Sequence, residues 1–305
     1  MPNARPDKRF AMSPFHPGEL AVQRRMGQAD TATRVGRIIS AEIPPVAALF
    51  LAEQRLVVLA AADADGRMWA SQLTGAPGFV RAVDTGTIGI AARPVPGDPL
   101  RAALTRPAHV GMIALQPQRR RRMRANGTAE PADYGLRIVT DQVYSNCPKY
   151  ISIRDIESRL PVAQPPSSVR GTELDARQRD AIGAADTFFV ATADAEGNAD
   201  ASHRGGNPGF LQVLSPTRLR WPDYRGNSMF MTLGNIADDP RCGLLIPDWS
   251  GGALQLTGTA ELVWDPDTFT AGAQCSIDFT ISEVVELRDA YPLRWTRPEL
   301  SPVNP

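Results

Sequence analysis

Arg204, Arg225, Asn227 and Ser228, close together in the second half of the chain, are residue types that together hold an anion. A guanidinium offers a forked pair of donors, and the free N–H groups and dipole at a helix start favour negative charge. The stretch W-P-D-Y-R-G-N-S, residues 221–228, leads into a segment that reads as a helix over 227–237, with Pro240 beyond its end. The chemistry this suits is phosphate binding; the plainer alternative is a polar loop with Asn227 or Ser228 as an ordinary cap. A second cluster, Arg119 to Arg122 with Arg124, carries one sign of charge. It reads as a nucleic-acid patch, a solvated strand face, or a second wall of the anion site. No aromatic residue interleaves it, and 33 Lys and Arg balance 33 Asp and Glu, which counts against nucleic acid.

The elements that must position these residues come from a repeat. Residues 60–80 (AAADADGRMWASQLTGAPGFV) and 191–211 (ATADAEGNADASHRGGNPGFL) share 11 of 21 positions at a constant offset of 131. The offset recurs where N-G-T-A-E (126–130) meets T-G-T-A-E (257–261), so the chain is a tandem duplication of a unit of about 110 residues. In each copy an apolar run (56–62, 187–193) ends in an Asp/Gly turn and reads as a strand. Another strand, a G-x-P-G-F bend, a short hairpin, one helix and three more strands follow, the last around 280–287. Six or so strands with one helix predict a small β-barrel in each copy.

The copies diverge where chemistry would sit. S-H-R-G-G (202–206) stands against S-Q-L-T-G (71–75), and W-P-D-Y-R-G-N-S against R-P-V-P-G-D-P-L (93–100), so the second copy alone carries the anion motif. The arginine run of the first copy stands against G-G-A-L-Q-L-T-G (251–258). Cys147, Cys242 and Cys275 are odd in number and far apart, and with three histidines they give no disulfide framework and no metal-ligand spacing. The N-terminus, with Pro2, Arg5, Asp7 and Lys8, has no apolar signal-like core, and no apolar run is long enough to span a membrane, so a cytoplasmic protein is expected.

These residues resemble the pyridoxamine 5′-phosphate oxidase-like FMN-binding split-barrel family. P-D-Y-R-G-N-S-M-F-M-T-L-G-N-I-A-D-D-P resembles the family's phosphate-binding T-N-Y-x-S-R-K-x-x-x-L-x-x-N-P, and R-R-M-R-A-N-G from Arg121 resembles its R-Q-V-R-V-x-G strand. The resemblance covers about 41–155 and 179–290. It implies two tandem split barrels, mainly β, that form within one chain the dimer that relatives form between two, with FMN in the interface. One composite site is then implied per chain, held by Ser202, His203, Arg204, Tyr224, Arg225, Asn227 and Ser228 from the second copy and Arg121, Arg122 and Arg124 from the first, its pseudo-symmetric counterpart having decayed. Ser228 replaces the family's Lys and S-H-R-G-G its R-x-V-L-L-K strand, and the vitamin-forming oxidases' substrate residues are not recognisable. Y-S-N-C-P-K-Y-I (144–151) resembles an element of a subgroup of uncharacterised flavin-binding relatives, found near an N-terminus like H-P-G-E-L-A-V-Q (16–23). There Cys147 is a reactive-thiol candidate beside Lys149 or an inert buried one, and Lys149 and Arg154 are candidate anchors for an anion. His203 either lies over the flavin or faces solvent; His16 and His109 are structural.

The expected organisation is an extension with a helix (1–40), a first barrel (41–158), a linker (159–178), a second barrel carrying the phosphate motif (179–289) and a tail holding Trp295 (290–305). The expected function is an FMN-dependent oxidoreductase moving hydride or electrons to or from a small molecule, with His203, Lys149 and Cys147 as catalytic candidates. NAD(P)H or a partner reductase would exchange electrons with it, since no dinucleotide fingerprint follows a strand. A non-catalytic flavin or haem carrier of the same fold is the alternative. No metal, nucleic acid or membrane is expected, and whole chains could pair again as a homodimer.

Overall fold

The computed structural model describes residues 13–162 and 166–305. Residues 1–12, on which the expectation of no signal segment rests, and residues 163–165 in the proline-rich linker lie outside the described residues. An N-terminal segment holds α1 (Pro17–Arg25) and α2 (Ala29–Val35). The first unit follows as α3 (Pro45–Ala52), β1 (Leu56–Ala62), β2 (Met68–Thr74), β3 (Val80–Asp84), β4 (Thr87–Ile90), α4 (Leu100–Ala103), β5 (Ala108–Gln116), β6 (Arg121–Ala132) and β7 (Gly135–Ser145). After β8 (Ile156–Arg159) and β9 (Ser167–Gly171), the second unit runs α5 (Ala176–Gly183), β10 (Thr187–Ala193), β11 (Ala199–Gly205), β12 (Gln212–Ser215), β13 (Arg218–Tyr224), α6 (Met231–Asp238), β14 (Arg241–Asp248), β15 (Gly252–Val263) and β16 (Ala273–Arg288), with β17 (Leu293–Trp295) in the tail.

The duplication is visible in the sheets. Strand order is β2-β1-β5-β6-β7-β4-β3 in the first unit and β11-β10-β14-β15-β16-β13-β12 in the second, position for position the same, with every pair antiparallel. The protein is thus mainly β, built as two tandem split barrels of seven repeated strands each. Two details differ from the sequence expectation. Part of the segment read as linker is β9, which adds to the second sheet by pairing with β16. The last strand of the second unit, neither face of which is cleanly apolar in the sequence, is a 16-residue strand with a bulge at Ser282, opposite Thr257 and Gly258 of β15, and with polar residues where it bonds β15, β9 and α5.

The units pack back to back through matching strands. Gly111 on β5 lies opposite Ala60, and Gly243 on β14 lies opposite Ala191, its counterpart 131 residues on. A Cβ at Gly111 would overlap the backbone of Asp200 and Ala201 on β11, and one at Gly243 that of Met68 and Trp69 on β2. Each unit therefore lays its second strand against the other's fifth at a distance only glycine permits. Phe189, Ala191, Ala201 and Leu245 of the second unit join one continuous buried cluster with the core of the first, whereas Phe188, Trp221, Leu244 and Phe279 form the second barrel's own core. That part of the interface is continuous with the core of the first barrel.

The N-terminal segment is strapped across α6, and H-P-G-E-L-A-V-Q supplies the straps. His16 caps α1, accepting from Gly18 N and donating through Nε2 to Asn235 on α6 (2.9 Å). Gly18 and Gly234 face each other where α1 crosses α6. Glu19 closes the capping box by accepting from His16 N (2.9 Å), and Gln23 donates to Met229 O (3.0 Å). The helix expected from Glu19 starts two residues earlier, at Pro17, because the cap is His16.

Alanine at Gly111 or at Gly243 should destabilise the protein by about 1–3 kcal/mol in urea unfolding, because the added methyl must push the barrels apart. Gly183→Ala, at a position with open space and an ordinary φ, should leave the midpoint unchanged or raise it. Burial, with Asp200 and Asp194 nearby, raises the Glu19 carboxyl from 4.5 to about 8 against the His16 hydrogen bond. The folded chain then holds a proton there that the unfolded chain releases, so this contribution to stability is full below pH 4.5 and lost as pH rises through 8. Glu19→Gln, which keeps the acceptor, should flatten stability against pH in that window, measured by urea unfolding at a series of pH values.

Candidate functional site

β6 presents Arg122, Arg124 and Asn126 at the two-residue spacing of one strand face, and that face meets the second unit at the edge strand β11. Arg124 Nη1 donates to Asp200 Oδ2 at 2.8 Å, both side chains being buried. Asp200 also accepts from Tyr144 Oη, Asn126 Nδ2 and Ser202 Oγ, each at 3.2 Å. Ser202 Oγ in turn lies 2.5 Å from Thr232 Oγ1 on α6. Burial disfavours the Arg124 charge, but Asp200 outweighs it and raises the pKa.

Beside this satisfied pair stand groups that are not satisfied. Arg122 has no carboxylate within ion-pair distance among the described residues, and its Nη1 lies 2.7 Å from His203 Nδ1. Because a guanidinium only donates, His203 Nδ1 is the acceptor and its proton sits on Nε2. Burial, then Arg124 and Arg204, push the Arg122 guanidinium down to about 9, and burial with Arg122 holds His203 well below its ordinary value, hence neutral. Arg204 reaches Asp223 at 3.4 Å and, through Nη1, the carbonyl of its neighbour His203 at 3.5 Å. Arg122 Nε, Arg204 Nε and His203 Nε2 are all shielded from solvent without a hydrogen-bond partner. Three guanidiniums thus face two carboxylates, and the surplus one is Arg122.

The cleft that Arg122 and Arg204 line, of about 70 Å³, ends at the first turn of α6. That helix starts at Met231, four residues later than the sequence suggested, because Ser228 (φ 65°) and Phe230 (φ 58°) take left-handed backbone and cannot be helical. Neither proposed cap is one. Phe230 is the N-cap and no side chain bonds the helix start; Asn227 Oδ1 accepts from Met229 N (3.1 Å), and Ser228 Oγ donates to Gln28 Oε1 (2.6 Å). The amides of Met231 to Leu233 are left open to the cleft. Alternating left-handed backbone before an uncapped helix, opposite unpaired guanidiniums, makes an anion cradle.

Of the residues singled out in the sequence, Arg122, Arg124, Arg204, Tyr224, Asn227 and Ser228 line this cleft; Ser202 and His203 lie behind its walls. Three do not come there. Arg225 is exposed, and only its carbonyl is engaged, by Tyr150 Oη (3.1 Å). Arg121 points out along the alternate face of β6, its guanidinium 4.9 Å over the Phe50 ring. Lys149 is exposed; Cys147, half-buried and free, lines no cleft described here. Arg154 is locked to Asp186 (2.6 Å) and Thr296 O (2.8 Å), tying the tail down, and Trp295 packs on Trp249 on the far side of the second unit, away from the cradle. His109, expected to be structural, lies on β5.

Asp200, Asp223, Tyr144 and Tyr150 were not singled out. Asp200 stands where the first copy has Trp69, so the divergence of the copies carried that signal. Tyr150, itself left-handed (φ 63°), stacks on Tyr224 (5.3 Å) as N-C-P-K-Y-I passes so close over Gly205 that a Cβ there would overlap Tyr150 O.

The pseudo-symmetric position is plugged. Counting 131 residues, Ser71 answers to Ser202, Gln255 to Arg124, Leu73 to Arg204 and Ala253 to Arg122. Here Asp98 supplies its own anion at the start of α4, accepting from Leu100 N (2.8 Å), Ser71 Oγ (2.6 Å) and Gln255 Nε2 (3.1 Å). No arginine and no open helix start remain.

No match is found among curated proteins. Solved structures to which the chain is similar include the HupZ protein of Group A Streptococcus, at 12% identity over 39% of this chain and 98% of that one, with a TM-score of 0.32. A FAD-binding protein of Mesorhizobium loti is similar at 13% identity over 39% of this chain and 97% of that one, with a TM-score of 0.26. So is a protein related to general stress protein 26 from Clostridium acetobutylicum, at 13% identity over 34% and 81%, with a TM-score of 0.28. The family described as pyridoxamine 5′-phosphate oxidase matches residues 174–289, from just before α5 to the end of β16. The likeness to that family is thus carried by the second unit.

Proposed function

We propose that the chain binds one FMN between its two units and acts as an FMN-dependent oxidoreductase on a small molecule. The observation that carries this reading is Arg122, a guanidinium whose Nε is shielded and unbonded, with no carboxylate among the described residues, opposite an uncapped helix start. A buried cation without an anion is costly, and a phosphate there would satisfy Arg122, Arg204 and the amides of Met231 to Leu233 together. A phosphomonoester, with up to two negative charges on one group, suits the cradle better than the pyrophosphate that joins the halves of FAD, where each phosphate carries a single charge. When bound, FMN supplies the hydride and electron chemistry. The chain's own contribution is to hold the phosphate, to keep Asp200 and Asp223 neutralised by Arg124 and Arg204, and to offer the unpartnered His203 Nε2–H as a donor at the interface. Lys149 and Cys147 play no part in this reading.

Electrons would come from diffusible NAD(P)H or a partner reductase. The three cysteines are free and no helix among the described residues is long and apolar enough to cross a membrane, in keeping with a cytoplasmic setting. The plug at Asp98 favours one flavin per chain over two.

Flavin titration with desalting tests the reading. The native protein should retain about one equivalent of FMN and bind riboflavin, which lacks the phosphate, far more weakly. Arg122→Gln should weaken FMN by about 10- to 100-fold, the worth of a charge-assisted hydrogen bond, and leave riboflavin nearly unchanged. Equal affinity for FMN and riboflavin would remove the phosphate cradle, and two equivalents would remove the plugged-site argument. Stopped-flow reduction of the bound flavin by NADPH or NADH, followed by reoxidation with candidate acceptors, separates an oxidoreductase from a carrier.

A further inference from the structure

A second cleft, of about 820 Å³, opens on the other face of the arginine strand and shares Arg122 and Asn146 with the cradle. Its walls are Ile43, Val46, Ala47 and Phe50, from α3 and the residues before it, and Val143 and Tyr144 at the end of β7. α3 reads P-V-A-A-L-F-L-A, eight residues without a charge or a polar side chain. On a helix with one face packed on a barrel, the outward residues are ordinarily polar. Here Val46 is 63% exposed and Ile38, which also lines the cleft, 50%. Apolar surface grouped around a concavity marks a place where something binds.

Three arginines and one carboxylate, Glu42, line the same cleft, so its charge is net positive. Arg120, Arg121 and Arg122 enter it from the start of β6. Arg120 is committed, donating from Nε to Ile151 O (3.1 Å) with its Nη2 3.6 Å from Glu299. Arg121 has no carboxylate within ion-pair distance among the described residues, and its guanidinium lies 4.9 Å over the Phe50 ring. Phe50 is thereby both apolar wall and platform for a positive charge, a geometry that keeps the fork of Arg121 free for an incoming acid.

We infer that this cleft binds an organic anion with a large apolar body, its acidic group at Arg121 and its body against α3. The assignment rests on the flavin reading for its role: beside an occupied cradle, such a ligand is the redox substrate. At about 820 Å³ the cleft lies toward the upper end of ordinary small-ligand pockets and suits a body of several fused rings.

The test uses two probes that differ by one group: 8-anilino-1-naphthalenesulfonate and its neutral parent N-phenyl-1-naphthylamine, titrated by fluorescence into the flavin-free protein and, by equilibrium dialysis, into protein saturated with FMN. The expected result is one anionic probe per chain, bound at least tenfold tighter than the neutral one, with and without FMN. Arg121→Gln should collapse that preference to within twofold without weakening the neutral probe. Val46→Glu, at an exposed position, should weaken both probes and leave FMN retention as it was. Equal binding of the two probes, or indifference to Arg121→Gln, would overturn the inference in favour of a plain apolar surface. Displacement of the anionic probe by FMN, with FMN retention lost in Val46→Glu, would overturn it by making the cleft the flavin's own seat. The anionic preference surviving in a protein that retains no FMN would support the cleft and overturn only the flavin reading.

Discussion

Arg124 leaves the first unit and finds its counter-ion, Asp200, in the second. Taking both charges out of water is costly, and the pair is tolerable only because Tyr144, Asn126 and Ser202 occupy the remaining lone pairs of Asp200. Those partners come from β6, β7 and β11, and Ser202 passes the constraint to α6 through Thr232. Only one relative placement of the barrels satisfies all of them. The same placement sets β6 against the edge of β11, so that Arg122, two residues back on the strand, must enter the interface without an acid of its own. The surplus charge of the cradle is a consequence of where the satisfied pair sits. Losing one partner of such a pair typically costs about 3–5 kcal/mol, because the other is stranded.

In a homodimer every interface feature occurs twice, since the same residues meet from both sides. A fused pair of units is free of that rule. The glycines at 111 and 243 still obey it, because the backbone approach they permit is the architecture of the interface. The polar residues do not. At one end Arg122, Arg204 and the open start of α6 wait for an anion; at the other Asp98 provides one internally, with Gln255 where Arg124 would be. Burial raises the Asp98 carboxyl to about 6 although Ser71, Leu100 N and Gln255 all bond it, as expected of a plug that no guanidinium neutralises. Duplication without divergence would have left two cradles or two plugs.

How much of this could be read in the sequence follows from which interactions are local. The repeat, the strands and the mainly β architecture were legible because strand periodicity and turn residues are local signals, and a shared offset copies them. Arg122, Arg204 and Ser228 were legible because the copies differ there. The start of α6 was not, since the left-handed turns at Ser228 and Phe230 are imposed by what touches them, Gln28 from the N-terminal segment and the Gln23 bond to Met229 O. Arg225 illustrates the same limit: the motif placed it near the helix, but the turn faces it to solvent. β9 lay hidden in a Pro- and Ser-rich stretch because its only reason to be a strand is the free edge of β16.

The strap and the N-C-P-K-Y-I segment belong to one device. Left-handed backbone at ordinary residues costs about 1–3 kcal/mol each and persists only where the surroundings over-determine it. Ser228 and Phe230 carry that strain at the mouth of the cradle and Tyr150 carries it on the segment that crosses Gly205. The first two are held by α1 and the residues after it, the third by its ring on Tyr224 and its hydroxyl on the Arg225 carbonyl. Each strained residue of one unit is thus pinned by chain from outside that unit. A single barrel of this sequence would have no means of keeping the cradle open, so the extension, the crossing segment and the fusion of the two units are parts of the site.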